Sequence, residues 1–228
     1  MSFLAYAMDI TIDIIADEKI WFPGPIQKRK ILTLEDPTSS NWKVLHKINE
    51  HVEQWHTSGP CLASAKFICH DARVSSKGPT AFLRVVQQIP YVRADVGPLR
   101  APETTKFTHP ELKAYKALKQ RNSPNTPKLL AWQEGTQDSS GLVPGGFITW
   151  FIFENIEGLA LGDENGAGPY WALPPETRTR IPEVFLKEYN TAAEVGILPV
   201  FEGPGNLIWN EKRETMYVSH NLEEMTPC

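Results

Sequence analysis

The sequence predicts an α+β protein, and three observations carry that expectation. Apolar runs of strand length, SAKFICHDA (64–72), TAFLRVVQQI (80–89) and FITWFIF (147–153), are bounded by Gly, Pro and Ser turns. Between and after them lie segments whose apolar residues recur at helical spacing. The chain has 228 residues, 41% of them hydrophobic and seven of them Trp, enough for one sizeable core or for two lobes that share a cleft.

In chain order, ITIDIIA (10–16) alternates apolar and polar residues and predicts a strand, and KRKILTLED (28–36) predicts a second. Phe22-Pro23-Gly24-Pro25 between them is a turn signal. Residues 41–56 space Leu45, Ile48, Val52 and Trp55 as on one face of a helix, with Ser39, Ser40 or Asn41 to cap it. SAKFICHDA and TAFLRVVQQI, separated by a Ser-Ser-Lys-Gly-Pro turn, predict a hairpin. The polar stretch 91–108 predicts a loop, and Thr108 with Glu111 has capping-box spacing at the head of a helix reaching about Arg121. FITWFIF is continuously apolar and predicts an interior strand buried on both faces. A Gly/Pro-rich loop (162–169) leads to a helix with core VFLKEYNTAAEV (184–195), in which Pro182 fits only near the first turn and Gly196 is the terminator. NLIW (206–209) and MYVS (216–219) predict a closing hairpin.

Composition excludes several function classes. A net charge of −4 with no run of five like charges provides no basic face for nucleic acid or anionic membrane. The N-terminus carries Asp9 and Asp13 and lacks a positive n-region, so export is not expected, and no apolar run approaches the ~20 residues of a membrane span. Cys61, Cys69 and Cys228 are odd in number and lack metal-like pairing, which suits reduced thiols in a cytoplasmic protein. His46, His51 and His56, at intervals of five on a helix, would scatter around it rather than converge on a metal. His70 and Asp71 are adjacent on a strand and point to opposite faces, which argues against a catalytic pair. No G-x-S-x-G or G-x-G-x-x-G is present.

The segment GILPVFEGPGNLIWNEKRETMYVSHNLEE (196–224) resembles the active-site loop and following hairpin of protein kinases and aminoglycoside-phosphotransferase-like proteins. In that alignment Asn206 takes the loop Asn of H-x-D-x-x-x-x-N. Counting back, the catalytic base falls on Phe201 and the His on Pro199, with Glu202 one residue out of register. The second metal Asp, about thirteen residues after the Asn in that signature, falls on Ser219 or His220. TAFLRVVQQIP (80–90) is similar to the third N-terminal strand of a fungal group of protein-kinase-like proteins, with Arg84 in the Lys position. HPELKAYKAL (109–118) resembles their E-x-x-A-Y-x-x-L helix, in which Glu111 would pair with that cation, and 127–163 resembles their fourth and fifth strands and interlobe linker. The resemblance covers roughly 65–224, and residues 1–60 fall outside it. It implies a two-lobed, protein-kinase-like unit over 1–228, with an N-terminal lobe (1–153) and a shortened C-terminal lobe (154–228), and it places Glu154–Gly158 where a kinase offers backbone groups to adenine.

What the resemblance supplies in fold, the residues remove in chemistry. Phosphoryl transfer needs carboxylates to hold Mg²⁺ against the phosphates, and Asn206, Ser219 and His220 provide none. Arg for Lys replaces a point charge with a planar fork, and Gly59 is the only glycine between Gly24 and Gly78, so a Gly-rich flap is missing. Two classes of function fit. One is a repurposed enzyme of fungal secondary metabolism, binding a small, largely apolar metabolite for a cyclisation, isomerisation or proton transfer without metal, ATP or other cofactor. Glu202 or His220 would move the proton, Arg84 would polarise a carbonyl, and Glu111, Asn206, Phe201, Phe153 and Ser219 would bind the ligand. The other is a non-catalytic pseudokinase acting as a scaffold. The sequence ending at Cys228 implies that a protein-substrate platform is absent, which favours the enzyme, and the same ending implies an apolar surface that a homodimer would cover.

Overall fold

The computed structural model describes residues 20–22, 31–53, 60–74, 78–90, 106–124, 126–163, 165–194, 196–199, 203–218 and 222–224. Within them the chain mixes α and β structure around a largely antiparallel sheet. Strands β1 (Ile31–Leu34), β2 (Ser40–Glu53), β3 (Leu62–Asp71), β4 (Ala81–Gln88), β5 (Leu129–Thr136) and β6 (Phe147–Glu154) form a six-stranded sheet of order β1-β2-β3-β4-β6-β5. Its two edge strands approach each other, because the Asp36 and Trp132 backbones exchange N–H···O bonds of 3.2 and 3.0 Å. The sheet therefore curls, and its inner face is filled by Leu34, Val44, Ala65, Phe67, Leu83, Val85 and Ile152, with Trp21 and Phe22 packed in the same cluster.

The outer face of β4 and β6 is covered by α1 (Pro110–Gln120), whose Leu112, Ala114, Tyr115 and Leu118 pack against Val86, Phe151 and Phe153. β6 thus has Ile152 in the inner cluster and Phe151 and Phe153 in the outer one. Its continuous apolar run is that of an interior strand buried on both faces, as its sequence predicts. After β6, residues 155–158 lead to β7 (Leu159–Ala160), which with β9 (Leu207–Asn210) and β10 (Thr215–Val218) forms a three-stranded sheet. α2 (Gly168–Trp171) and α3 (Pro175–Glu194) precede β8 (Ile197–Pro199), which pairs with β11 (Leu222–Glu224), and β11 lies beside α1. The backbone of the expected closing hairpin is that of β9 and β10.

Three expectations are corrected. Residues 41–53 are not a helix but most of β2, and the reason lies in two bulges. β2 pairs Val44 with Cys69 and His46 with Ile68, then Lys47 with Phe67 and Asn49 with Lys66, so Leu45 and Ile48 are the inserted residues. These two insertions supply half of the apolar set that imitates a helical stripe, and ten pairings with β3 outweigh the local pattern. The last helix begins at Pro175 rather than near 184, and Pro182 is interior to it. Pro182 has no N–H for the carbonyl of Arg178, and the Tyr170 hydroxyl donates to that oxygen instead at 3.3 Å. The capping box does not form, since His109 is the N-cap without a side-chain bond, Thr108 Oγ1 donates to Glu134 at 2.6 Å, and Glu111 turns toward β4. Gly196, at φ 76°, follows α3 as expected of a terminator.

The predicted strand 10–16, the turn after Phe22, the loop over 91–105 and Cys228 lie outside the described residues. Cys61 and Cys69 are buried, and burial pushes the Cys69 thiol up to about 12, which makes it inert at neutral pH. No described helix is long and apolar enough to cross a membrane.

Phe151, fully buried in the outer cluster, is the side chain on which α1 rests. Phe151→Ala is expected to lower unfolding free energy by about 3–5 kcal/mol, read as a fall in urea midpoint; a loss below about 1 kcal/mol would mean that α1 is not docked there.

Candidate functional site

The side chains that share the outer face of the sheet follow from strand alternation. On β4, Leu83 and Val85 point into the curl, so Phe82, Arg84 and Val86 face α1. On β3, Ala65 and Phe67 point inward, which turns Lys66 outward, and Lys66 is the direct cross-strand partner of Arg84. α1 brings Glu111 from its first turn onto this face. Arg84 Nη1 meets Glu111 Oε2 at 2.9 Å, with 13% and 3% of the two side chains exposed.

Aromatic rings wall the pair. Tyr115, one helical turn after Glu111, stacks on Phe153 at 5.4 Å between centroids with 16° between planes, and Phe153 lies 5.6 Å from Phe82. Lys66 Nζ sits 3.9 Å from the centroid of Phe82 and 5.7 Å from that of Phe153. His109 stands between Phe107 and Phe151, each 6.3 Å away. Arg84 Nε and His109 Nδ1 are buried with no hydrogen-bond partner among the described residues.

Burial decides the protonation of this cluster. It lowers the Lys66 ammonium from 10.5 to about 7; Arg84 pushes the same way, and Glu111 opposes. It lowers His109 from 6.5 to about 4, with Glu111 opposing and Arg84 reinforcing. The fully buried Tyr115 hydroxyl is held in its neutral form, principally by burial and then by Glu111. At neutral pH the cluster therefore holds one permanent cation, one carboxylate, a neutral imidazole and an amine near half-protonation.

The structure brings together Arg84, Glu111 and Phe153 of the expected residues. Asn206 ends the 3-10 turn Pro204–Asn206, its N–H 3.4 Å from the Gly203 carbonyl, and the next residue, Leu207, packs against the same outer cluster. Phe201, Glu202, Ser219 and His220 lie outside the described residues. Lys66 and His109 were missed as site residues. The available signal was a lone Lys inside the apolar strand SAKFIC, but its facing partner depends on a hairpin register that composition does not give. His70 is buried with Nδ1 2.9 Å from the Asp71 carbonyl, while the Asp71 carboxylate pairs with Arg73 at 2.6 Å, so the two side chains do not act together.

A pocket of about 220 Å³ lies elsewhere, on the β7–β9 sheet, lined by Gly158, Leu159, Leu173, Trp209 and the Glu157–Lys212 pair. Those two charges are 79% and 81% exposed and contribute little. The Arg84 face, with buried charges and shifted protonation, is the stronger candidate. The 155–158 segment joins the two sheets, with Asn155 donating to Thr80 Oγ1 at 2.8 Å and the Glu157 carbonyl accepting from Asn210 at 2.7 Å.

No family model and no curated protein matches the sequence. Among solved structures the chain is similar to the kinase PK-1 of Cydia pomonella granulovirus, at 13% identity and a TM-score of 0.45, over 79% of this chain and 50% of that one. This chain spans half the length of that kinase, and a likeness at that level carries no weight beside the residues themselves.

Glu111→Ala leaves the Arg84 guanidinium buried and uncompensated and is expected to cost about 3–5 kcal/mol, whereas the double change Arg84→Met with Glu111→Leu is expected to be near neutral. Urea titration of the three proteins checks this, and an equal loss in single and double variants would refute the pairing. Linkage also fixes a pH profile. The unfolded chain binds the proton of His109 more tightly than the folded one, so stability is lost as pH falls from 6.5 through about 4. Lys66 has the same sign over a higher window, so its contribution grows as pH rises from about 7 toward 10.5. His109→Phe should flatten the acid limb and Lys66→Met the alkaline limb of urea midpoints plotted against pH.

Proposed function

We propose that this chain is a kinase-like protein, with an N-terminal lobe over 1–153 and a shortened C-terminal lobe over 154–228, that has lost phosphotransfer. Its outer sheet face holds a small, largely apolar ligand by a polar group. The step performed there, a cyclisation, isomerisation or proton transfer, uses neither metal nor ATP. The observation that carries this reading is a largely buried guanidinium whose Nε has no hydrogen-bond partner among the described residues, beside the half-buried Phe82 ring and backed by the aromatic core of Tyr115, Phe151 and Phe153. Such a wall with few fixed polar groups suits a ligand that is mostly apolar.

Arg84 would polarise a carbonyl or enolate oxygen, since a preoriented cation in a poorly hydrated site stabilises charge as it develops. Glu111 fixes the guanidinium rather than reacting. Glu202 or His220 would transfer the proton, Asn206 would orient the ligand by hydrogen bonding, and Phe201, Phe153 and Ser219 would complete the lining. Against phosphoryl transfer stands the donor set, because the aligned metal positions carry Asn206 and Ser219 or His220. A second reading, a non-catalytic scaffold that dimerises, draws on Trp171 and Leu186, which are 64% and 58% exposed on α2 and α3.

Thermal unfolding with two probes tests the proposal. 1-Naphthoate, an apolar ring bearing an anionic group, is expected to raise the midpoint by about 2–4 °C near saturation and to lose that effect in Arg84→Gln. ATP with Mg²⁺ is expected to leave the midpoint unchanged. Stabilisation by ATP and Mg²⁺ would restore a nucleotide site, and a concentration-dependent dimer with no response to 1-naphthoate would favour the scaffold.

A further inference from the structure

We propose that Lys66 is a nucleophilic amine that condenses with an aldehyde or ketone ligand on the outer face of the sheet, holding it as an imine. Four observations converge on it. Lys66 is half-buried rather than sealed in the core, unlike its strand neighbours Ala65 and Phe67. Its Nζ lies 3.9 Å from the centroid of the half-buried Phe82 ring and 5.7 Å from that of the buried Phe153, an apolar setting for an amine. Its cross-strand neighbour is a guanidinium whose orientation is fixed by Glu111. The fourth is the charge and protonation of the groups around it. Arg84 on β4 disfavours the ammonium, Glu111 on α1 favours it, His109 before α1 is neutral, and Tyr115 on α1 is un-ionised. The rings favour the cation by their quadrupoles, yet burial and Arg84 still leave the amine about half neutral at pH 7.

A surface lysine holds almost none of its population as free amine at that pH, and a desolvated lysine beside a second cation is the arrangement that activates an amine toward carbonyls. The Nζ lone pair forms a C–N bond as the carbonyl π pair moves onto oxygen, where Arg84 stabilises the negative charge. Two protons pass from nitrogen to that oxygen through solvent, the C–O bond breaks, and water leaves as the C=N bond closes. One amine and one carbonyl become one imine and one water, without oxidant or reductant.

This inference rests on the reading of the outer face as a ligand site, and the two fail separately. The wild-type protein is incubated with 1-naphthaldehyde and cyanoborohydride, which converts an imine to a stable naphthylmethyl amine, and peptides are mapped by mass spectrometry between about pH 6 and pH 9. At pH 7, Lys66 is expected to be labelled at least about tenfold faster than the exposed Lys212, with a rate that levels off above pH 7 while that of Lys212 keeps climbing. Labelling of Lys66 no faster than Lys212 overturns the inference. If 1-naphthoate still stabilises the protein in that case, the ligand face stands without a reactive amine; if it does not, both readings fall together.

Discussion

Glu111 keeps 3% of its side chain exposed, and a carboxylate so far from water needs a partner such as Arg84, which meets it at 2.9 Å. Much of the outer face is arranged around that requirement. α1 must lie with its first turn over β4, because sliding it by one turn, about 5.4 Å, would carry the buried carboxylate away from Arg84. Once Glu111 is placed, Tyr115 falls one turn later directly on Phe153, and Leu118 a further turn along in the same cluster. The ion pair thus sets register, while the apolar contacts supply the bulk of the attraction.

The curl of the sheet makes this arrangement rigid. Because β1 and β5 meet through Asp36 and Trp132, the inner face is a closed apolar core, and the backbones of β3, β4 and β6 have little freedom to splay. The cross-strand placement of Lys66 against Arg84 is therefore a property of the fold rather than of two flexible side chains. Preorganisation of this kind is what allows a charged group to act on a ligand without first reorganising its surroundings.

The sequence was legible where one physical demand acted alone. FITWFIF must be buried on both sides because it has no polar face, and PELKAYKALKQ has an apolar stripe that must be covered, here by the sheet. It misled where two demands overlapped. Leu45 and Ile48 look helical because bulges insert them into β2, and Pro182 looks like a first-turn residue because proline lacks the N–H a helix interior needs, a loss that the Tyr170 hydroxyl offsets by donating to the Arg178 carbonyl. At the site, Arg84 and Glu111 were found through a resemblance in their flanking segments, and the structure pairs them. Lys66 escaped because a single Lys in a strand reads as a solvated residue until the register with β4 is known. The proton-transfer candidates Glu202 and His220 lie outside the described residues, so that part of the site stands on sequence alone.

A low-dielectric site tolerates little net charge, and the cluster obeys this at neutral pH. Arg84 remains a cation under all ordinary conditions, and it offsets Glu111 one for one. Lys66 and His109 are then surplus cations, and burial drives both toward their neutral forms. Neutral His109 has little further consequence, since a pKa of about 4 leaves it silent near pH 7. Lys66 differs because its pKa falls within the working range, so a change of one pH unit shifts it substantially between ammonium and amine. Burial is what brings this lysine to the edge of ionisation, and the pair that fixes α1 adjusts it: Arg84 lowers it further and Glu111 opposes the fall.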